Sequence, residues 1–242
     1  MENIFTEIYN TNKWGCQETV SGPCSSQERT QELRVGFQSA LHDLEIQSIV
    51  DCGCGDWNWM RSVNLTGIQY LGLEIVQPLV ETLQKQFSAP TVKFQHLDIF
   101  QQPLETADLW LARDVLCFYT LKEIKKFFQL FIESQSKFLG ISSIDTEQEF
   151  NGQLTGFWKQ LNFFSEPFAM PEPMLEIADG KQWFRAKKIL IYNRQQIIEW
   201  FMVRASKLVI DSEKQVSGKQ DRNAHLVSNV PLSEVTLHVR KA

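Results

Sequence analysis

Nothing in this sequence marks a membrane or a secretory route. No stretch approaches the roughly 18 consecutive apolar residues of a spanning helix. The opening MENIFTEIYN has no basic segment ahead of an apolar run, so no signal peptide is expected. Positive charge is also short: 24 Lys and Arg face 29 Asp and Glu, for a net charge of −5. The pairs Lys125-Lys126 and Lys187-Lys188 read as solvated surface, so neither nucleic acid nor a membrane is an expected partner. The five cysteines are odd in number, and without a secretion signal they point to reduced thiols and a cytoplasmic location. Cys16, Cys24, Cys52 and Cys54 lack the C-x2-C spacing of zinc sites, so no metal is expected.

Aromatic residues are what the chain has in quantity: 17 Phe, 7 Trp and 4 Tyr, 12% of the residues. With 43% hydrophobic residues, a sizeable core is available. A helix is expected over 26–44, because Leu33, Phe37, Ala40, Leu41 and Leu44 recur at helical spacing behind a Ser25-x-x-Glu28 capping box. Short apolar runs then alternate with helical segments. QSIVDCGCG runs into glycines as a buried parallel strand does, and further strands are expected over 68–75, 91–99, 107–114 and 137–144. A helix should start near Pro78, and a second capping box, Thr120-x-x-Glu123, opens a helix through about Gln135.

This alternation implies right-handed crossovers and an α/β, Rossmann-like, doubly wound sheet, mostly parallel. A helix near 194–204 follows. The stretches 206–214 and 234–241 are expected to add an antiparallel hairpin at the edge, making seven strands. Residues 1–45 read as an N-terminal helical cap and 46–242 as the main domain. Within the latter, 145–193 holds 9 of the 28 aromatics together with Pro167, Pro171 and Pro173. It reads as an ordered insert covering the site.

Ligands on such sheets bind where strand order reverses, at the carboxyl ends of the strands. The first strand ends in Asp51-Cys52-Gly53-Cys54-Gly55-Asp56, and Glu74 follows at the spacing of a ribose-binding carboxylate. Asp98 lies near the end of the third strand. A dinucleotide would want a third glycine, where Asn58 stands, and would meet the negative charge of Asp56. S-adenosylmethionine has ribose and adenine but carries positive charge instead of phosphate, and an acid-rich loop suits it.

With DCGCG at 51–55, GLE ending at Glu74, LD ending at Asp98 and RDVL at 113–116, the chain resembles the class I S-adenosylmethionine-dependent methyltransferases over about 46–144. The opening Trp14-Gly15, Glu18, Ser21-Gly22, Ser25 and Thr30, with CGDWNWM at 54–60, resembles a bacterial subgroup of that family. The resemblance implies that Asp51, Gly53 and Gly55 contact the methionine moiety and that Glu74 holds both ribose hydroxyls. Asp98 would then bind the adenine amino group with Ile99 against the ring, and Ile75 and Arg113 complete the cofactor set. Two positions depart from the pattern: Trp57 replaces a common loop glycine, and Phe118 stands where the subgroup often has histidine.

Methyl transfer is an in-line displacement, so alignment supplies most of the catalysis. A hydroxyl or amine acceptor also needs a base. Asp114 at the end of the fourth strand is the first candidate and His96, which shares a strand face with Asp98, the second. The expected acceptor is a small molecule or saccharide, methylated at O or N, in a pocket made by the first 25 residues and the insert. A protein acceptor, or a cofactor-binding regulatory subunit without turnover, are the alternatives.

Overall fold

The computed structural model describes residues 1–100, 104–148, 150, 156, 158–180 and 187–204. The first of the chain's two units is Met1–Phe201, and all that follows concerns it. Among the described residues no helix is long and apolar enough to cross a membrane.

Seven strands form one sheet: β1 (Ser48–Cys52), β2 (Gln69–Glu74), β3 (Val92–His96), β4 (Leu109–Ala112), β5 (Phe138–Ile144), β6 (Leu175–Ala178) and β7 (Lys187–Asn193), in the order β3-β2-β1-β4-β5-β7-β6. The first five are mutually parallel, whereas β7 runs antiparallel to both β5 and β6. Strand order reverses at β1, which pairs β2 on one side and β4 on the other. The Rossmann-like sheet expected from the sequence is therefore present, with an antiparallel edge.

That edge has a different origin from the one expected. The hairpin assigned to 206–214 and 234–241 lies outside the described residues. Here β6 and β7 come from the stretch 145–193, which had read as an insert. Its proline and aromatic content masked two short strands, and KKILIYN is buried on both faces, so it shows no alternation. Of its described aromatics, Phe163, Phe168 and Tyr192 belong to the core. Phe163 and Phe168 are fully buried, and Phe163 packs edge-to-face on Phe128 at 6.0 Å. The indole N–H of Trp200, in the helix over 194–204, donates to the Phe168 carbonyl at 2.7 Å.

The helices follow their apolar stripes. α1 (Glu2–Thr11) buries Ile8, α2 (Gln31–Asp43) buries Leu33, Phe37, Ala40 and Leu41, and α3 (Gln77–Phe87) starts with Pro78 in its first turn. α4 (Leu121–Ser134) forms behind the expected Thr120–Glu123 capping box and buries Phe127, Phe128 and Phe131, with Phe127 and Phe131 packed on Trp110. The other capping box does not form. Ser25 lies in a 3-10 turn at Pro23–Ser25, and α2 begins only after Thr30, whose hydroxyl donates to the Ser26 carbonyl at 2.7 Å. The Ser25 side chain is engaged elsewhere, accepting from Arg113 Nη1 at 3.4 Å.

Candidate functional site

A cavity of about 920 Å³, open mouth included, lies over the carboxyl ends of β1, β2 and β4. The loop after β1 forms one wall. Gly53 and Gly55 have φ of 85° and 56°, values that L side chains rarely adopt. A Cβ on Gly53 would lie 2.6 Å from Val115 Cγ2, and one on Gly55 would lie 2.2 Å from Ser21 Oγ. Glycine is needed at both positions because other chain segments press on the loop.

Glu74 ends β2 and lines the same cavity. The amides of Ile75 and Val76 donate to Oε1 at 2.8 and 3.0 Å, and the Gly55 amide donates to Oε2 at 3.0 Å. Three backbone N–H groups thus fix the carboxylate, and Oε2 keeps a lone pair for a further donor. Burial pushes the Glu74 pKa up while those amides pull it down; the net shift is upward. Ile75, Ile99, Leu97 and Tyr119 add an apolar wall.

Asp51 is set back from this surface. It is buried, does not line the cavity, and accepts the Tyr70 hydroxyl proton at 2.7 Å. Burial raises its pKa to about 7, against the opposing effects of the Tyr70 hydrogen bond and the Arg113 charge. Asp98 also lies outside the lining, and its Oδ1 accepts from the Phe100 amide at 3.0 Å. Asp56 does not face an open phosphate-sized space. Its carboxylate accepts from Thr19 Oγ1, the Val20 amide and Ser21 Oγ, each at 2.9 Å, so it latches the N-terminal segment over the loop.

The two candidate bases part company. His96 is on the far side of β2's end, with Nε2 3.0 Å from the Ile75 carbonyl oxygen and 3.2 Å from Glu2 of α1. It does not line the cavity; His96 is the terminal residue of β3, two strands from the reversal at β1. Asp114 does line it, in the turn after β4, with φ of 57° and its amide held by Ser142 Oγ at 2.9 Å.

Beneath Asp114 lies a four-membered charge network. Arg113 Nε and Nη2 each donate to Asp179 at 2.9 Å, Lys187 Nζ lies 3.0 Å from Asp179, and Lys187 also pairs with Asp114. Burial lowers the Arg113 pKa, but Asp179 and Asp114 outweigh it and hold the value above normal. Burial likewise lowers that of Lys187, yet the Asp114 and Asp179 charges raise it overall. Asp179 is pushed up by burial and brought below the usual range by Arg113 and Lys187. Lys187 is buried, which corrects its reading as a solvated residue: it begins β7, whose register with β5 places it against Ile144.

Asp179 escaped the sequence reading, whereas a pocket wall from the first 25 residues was expected. Asp179 follows β6 in an Asp179-Gly180 turn, a signal that is visible once LEIA is recognised as a strand. The N-terminal residues Phe5, Ile8, Tyr9 and Trp14 line the cavity, as does Trp59, over which Arg113 stacks at 5.3 Å. Trp57 packs instead between Tyr70, Phe87 and Phe94. None of the five cysteines is paired, and among the described residues no His, Cys, Asp and Glu cluster could hold a metal.

Residues 50–131 match the family model described as "Methyltransferase domain". No curated protein matches the chain. Among solved structures, the chain resembles human N-acetylserotonin methyltransferase, determined with SAM, at a TM-score of 0.52 and 14% identity, covering 69% of this chain and 53% of that one. It also resembles the 1,6-didemethyltoxoflavin-N1-methyltransferase of Burkholderia thailandensis, at a TM-score of 0.55 and 12% identity, covering 79% and 86%. A mitomycin 7-O-methyltransferase gives a TM-score of 0.52 and 15% identity, covering 68% and 54%. The chain thus spans about half the length of the human enzyme. These likenesses bear out the fold of the class I methyltransferases for this chain.

Proposed function

We propose that this chain, with its methyltransferase-domain segment at 50–131, is an S-adenosylmethionine-dependent methyltransferase of a small molecule or saccharide, acting at oxygen or nitrogen. The observation that carries this reading is the Glu74 carboxylate, pinned by three backbone amides at the strand-order reversal and lining the cavity. A carboxylate so placed suits vicinal hydroxyls.

The residues present fit this cofactor. Glu74 supplies the hydroxyl acceptor, and Ile75, Leu97, Ile99 and Tyr119 supply an apolar slot for a purine. Arg113, the only cation among the described residues lining the cavity, is neutralised by Asp179, so the charge facing a ligand is negative. That balance favours a cationic nucleoside over a pyrophosphate. Bound there, the cofactor supplies an electrophilic methyl group on a sulfonium. The chain's own contribution is alignment, water exclusion by the α1 segment, and an acceptor for the proton lost by the methylated group. Asp114 Oδ1 fills that last role, with Lys187 holding the other carboxylate oxygen. His96 does not share the cavity and takes no part.

Isothermal titration of the full chain with S-adenosylmethionine and S-adenosylhomocysteine tests the reading. Both should bind, and Glu74→Ala should weaken binding by about tenfold or more, equivalent to at least about 1.4 kcal/mol. Glu74→Gln, with circular dichroism as a check on folding, should fall between. No binding by wild type, or unchanged binding by both variants, overturns it.

A further inference from the structure

A second cavity, of about 900 Å³ including its mouth, adjoins the first. Trp14, Ser21, Asp114 and Phe118 line both. Trp158, Cys24 and Lys187 line only the second. Its walls are aromatic: Phe118 and Trp14 lie with ring centroids 6.2 Å apart. Trp158 is 51% exposed, and among the described residues its indole makes no ring contact. A half-exposed indole lining a cavity offers an apolar face on which an aromatic ring can stack.

The polar end is a matched pair. Asp114 Oδ2 takes the Lys187 contact, and Oδ1 has no hydrogen-bond partner among the described residues. Lys187 Nζ carries three N–H donors, of which Asp114 and Asp179 take two. One acceptor and one donor therefore remain on a contacting pair, Asp114 lining both cavities and Lys187 the second. Asp114 holds this position in a left-handed conformation (φ 57°) fixed by Ser142, and strain of that kind gathers at functional sites.

We infer that this second cavity binds a planar hydroxy-aromatic molecule, its ring between the Trp158, Phe118 and Trp14 side chains and its hydroxyl on the Asp114–Lys187 pair. A phenolic hydroxyl both donates, here to Asp114 Oδ1, and accepts, here from Lys187 Nζ. A sugar would bring several hydroxyls, whereas the described lining adds only the Ser21 hydroxyl, already bonded to Asp56, with no side-chain amide and no further charged side chain. The inference narrows the acceptor class of the proposed methyltransferase and rests on that reading only for the ligand's fate; the binding itself does not require it.

The test is titration of β-naphthol into the full chain saturated with S-adenosylhomocysteine, read by tryptophan fluorescence and by calorimetry, with the saturated alcohol β-decalol as comparator. Binding of β-naphthol alongside the nucleoside is expected, tighter than β-decalol by about tenfold. Trp158→Ala should weaken it at least about fivefold while leaving S-adenosylhomocysteine affinity unchanged. Asp114→Asn, which tolerates the left-handed backbone, should remove the preference for β-naphthol over β-naphthyl methyl ether. Equal binding of β-naphthol and β-decalol, competition of β-naphthol with the nucleoside, or an unaltered Trp158→Ala overturns the inference. Failure of S-adenosylhomocysteine to bind at all overturns the methyltransferase reading instead, and the β-naphthol titration then stands on its own.

Discussion

Arg113 and Asp179 are 66 residues apart in the chain and meet through two contacts of 2.9 Å, both side chains almost fully buried. The paired geometry ties the turn after β4 to the turn after β6, and so the centre of the sheet to its antiparallel edge. Removing one partner from such a pair leaves uncompensated charge in a low dielectric. Asp179→Ala would strand Arg113 and Lys187 with Asp114 as their sole carboxylate. It should lower unfolding free energy by about 3–5 kcal/mol in urea denaturation.

Gly55→Ala should be costly for two reasons, a left-handed backbone and a Cβ 2.2 Å from Ser21 Oγ. Strain of about 1–2 kcal/mol adds to overpacking of about 1–3 kcal/mol. Ser21 also donates to Asp56 at 2.9 Å, so the same substitution should loosen the N-terminal latch. Hydrogen exchange at Val20 and Ser21, whose amides are now bonded to Asp56 and Thr19, should speed up.

Asp51 predicts an unusual pH dependence. A carboxyl whose pKa is raised to about 7 in the folded state keeps its proton there longer than in the unfolded chain. Stability from this group is therefore greatest at low pH and falls as pH climbs from the ordinary carboxylate range through about 7. Glu74, also raised, acts in the same sense. Asp51→Asn keeps an acceptor for Tyr70 without the charge. It should gain at least about 1 kcal/mol over wild type at about pH 8 and little at about pH 5, measured by denaturant titration.

The Thr120–Glu123 capping box offers a local check. Thr120 Oγ1 accepts from the Glu123 amide at 3.3 Å, and Glu123 reaches back to the Thr120 amide at 2.8 Å. Thr120→Ala should cost about 1 kcal/mol, with no effect on the affinity for S-adenosylhomocysteine.

The first half of the sheet could be read from sequence because each part is local. Apolar runs of strand length, glycines at the first turn, and Glu74 at a set distance behind them all depend on neighbours in the chain. Ser25-x-x-Glu28 shows how this fails: the motif is present, but Arg113, 88 residues away, takes the serine side chain. Likewise 145–193 holds strands whose pattern is hidden, since β7 is covered on both faces and carries no alternation.

Local pattern was thus enough for the parallel core, α4 with its cap, and the glycine loop, where each signal is a short-range preference of backbone or side chain. Tertiary structure decided the rest. It set Asp51 against Tyr70 and His96 against Glu2, away from the cavity. It also buried Lys187 beside Asp114 and Asp179, and laid Phe5 and Trp14 across the mouth. The reason is physical: whether a charge is solvated or paired depends on what packs over it, and here those partners come from strands and turns remote in the chain.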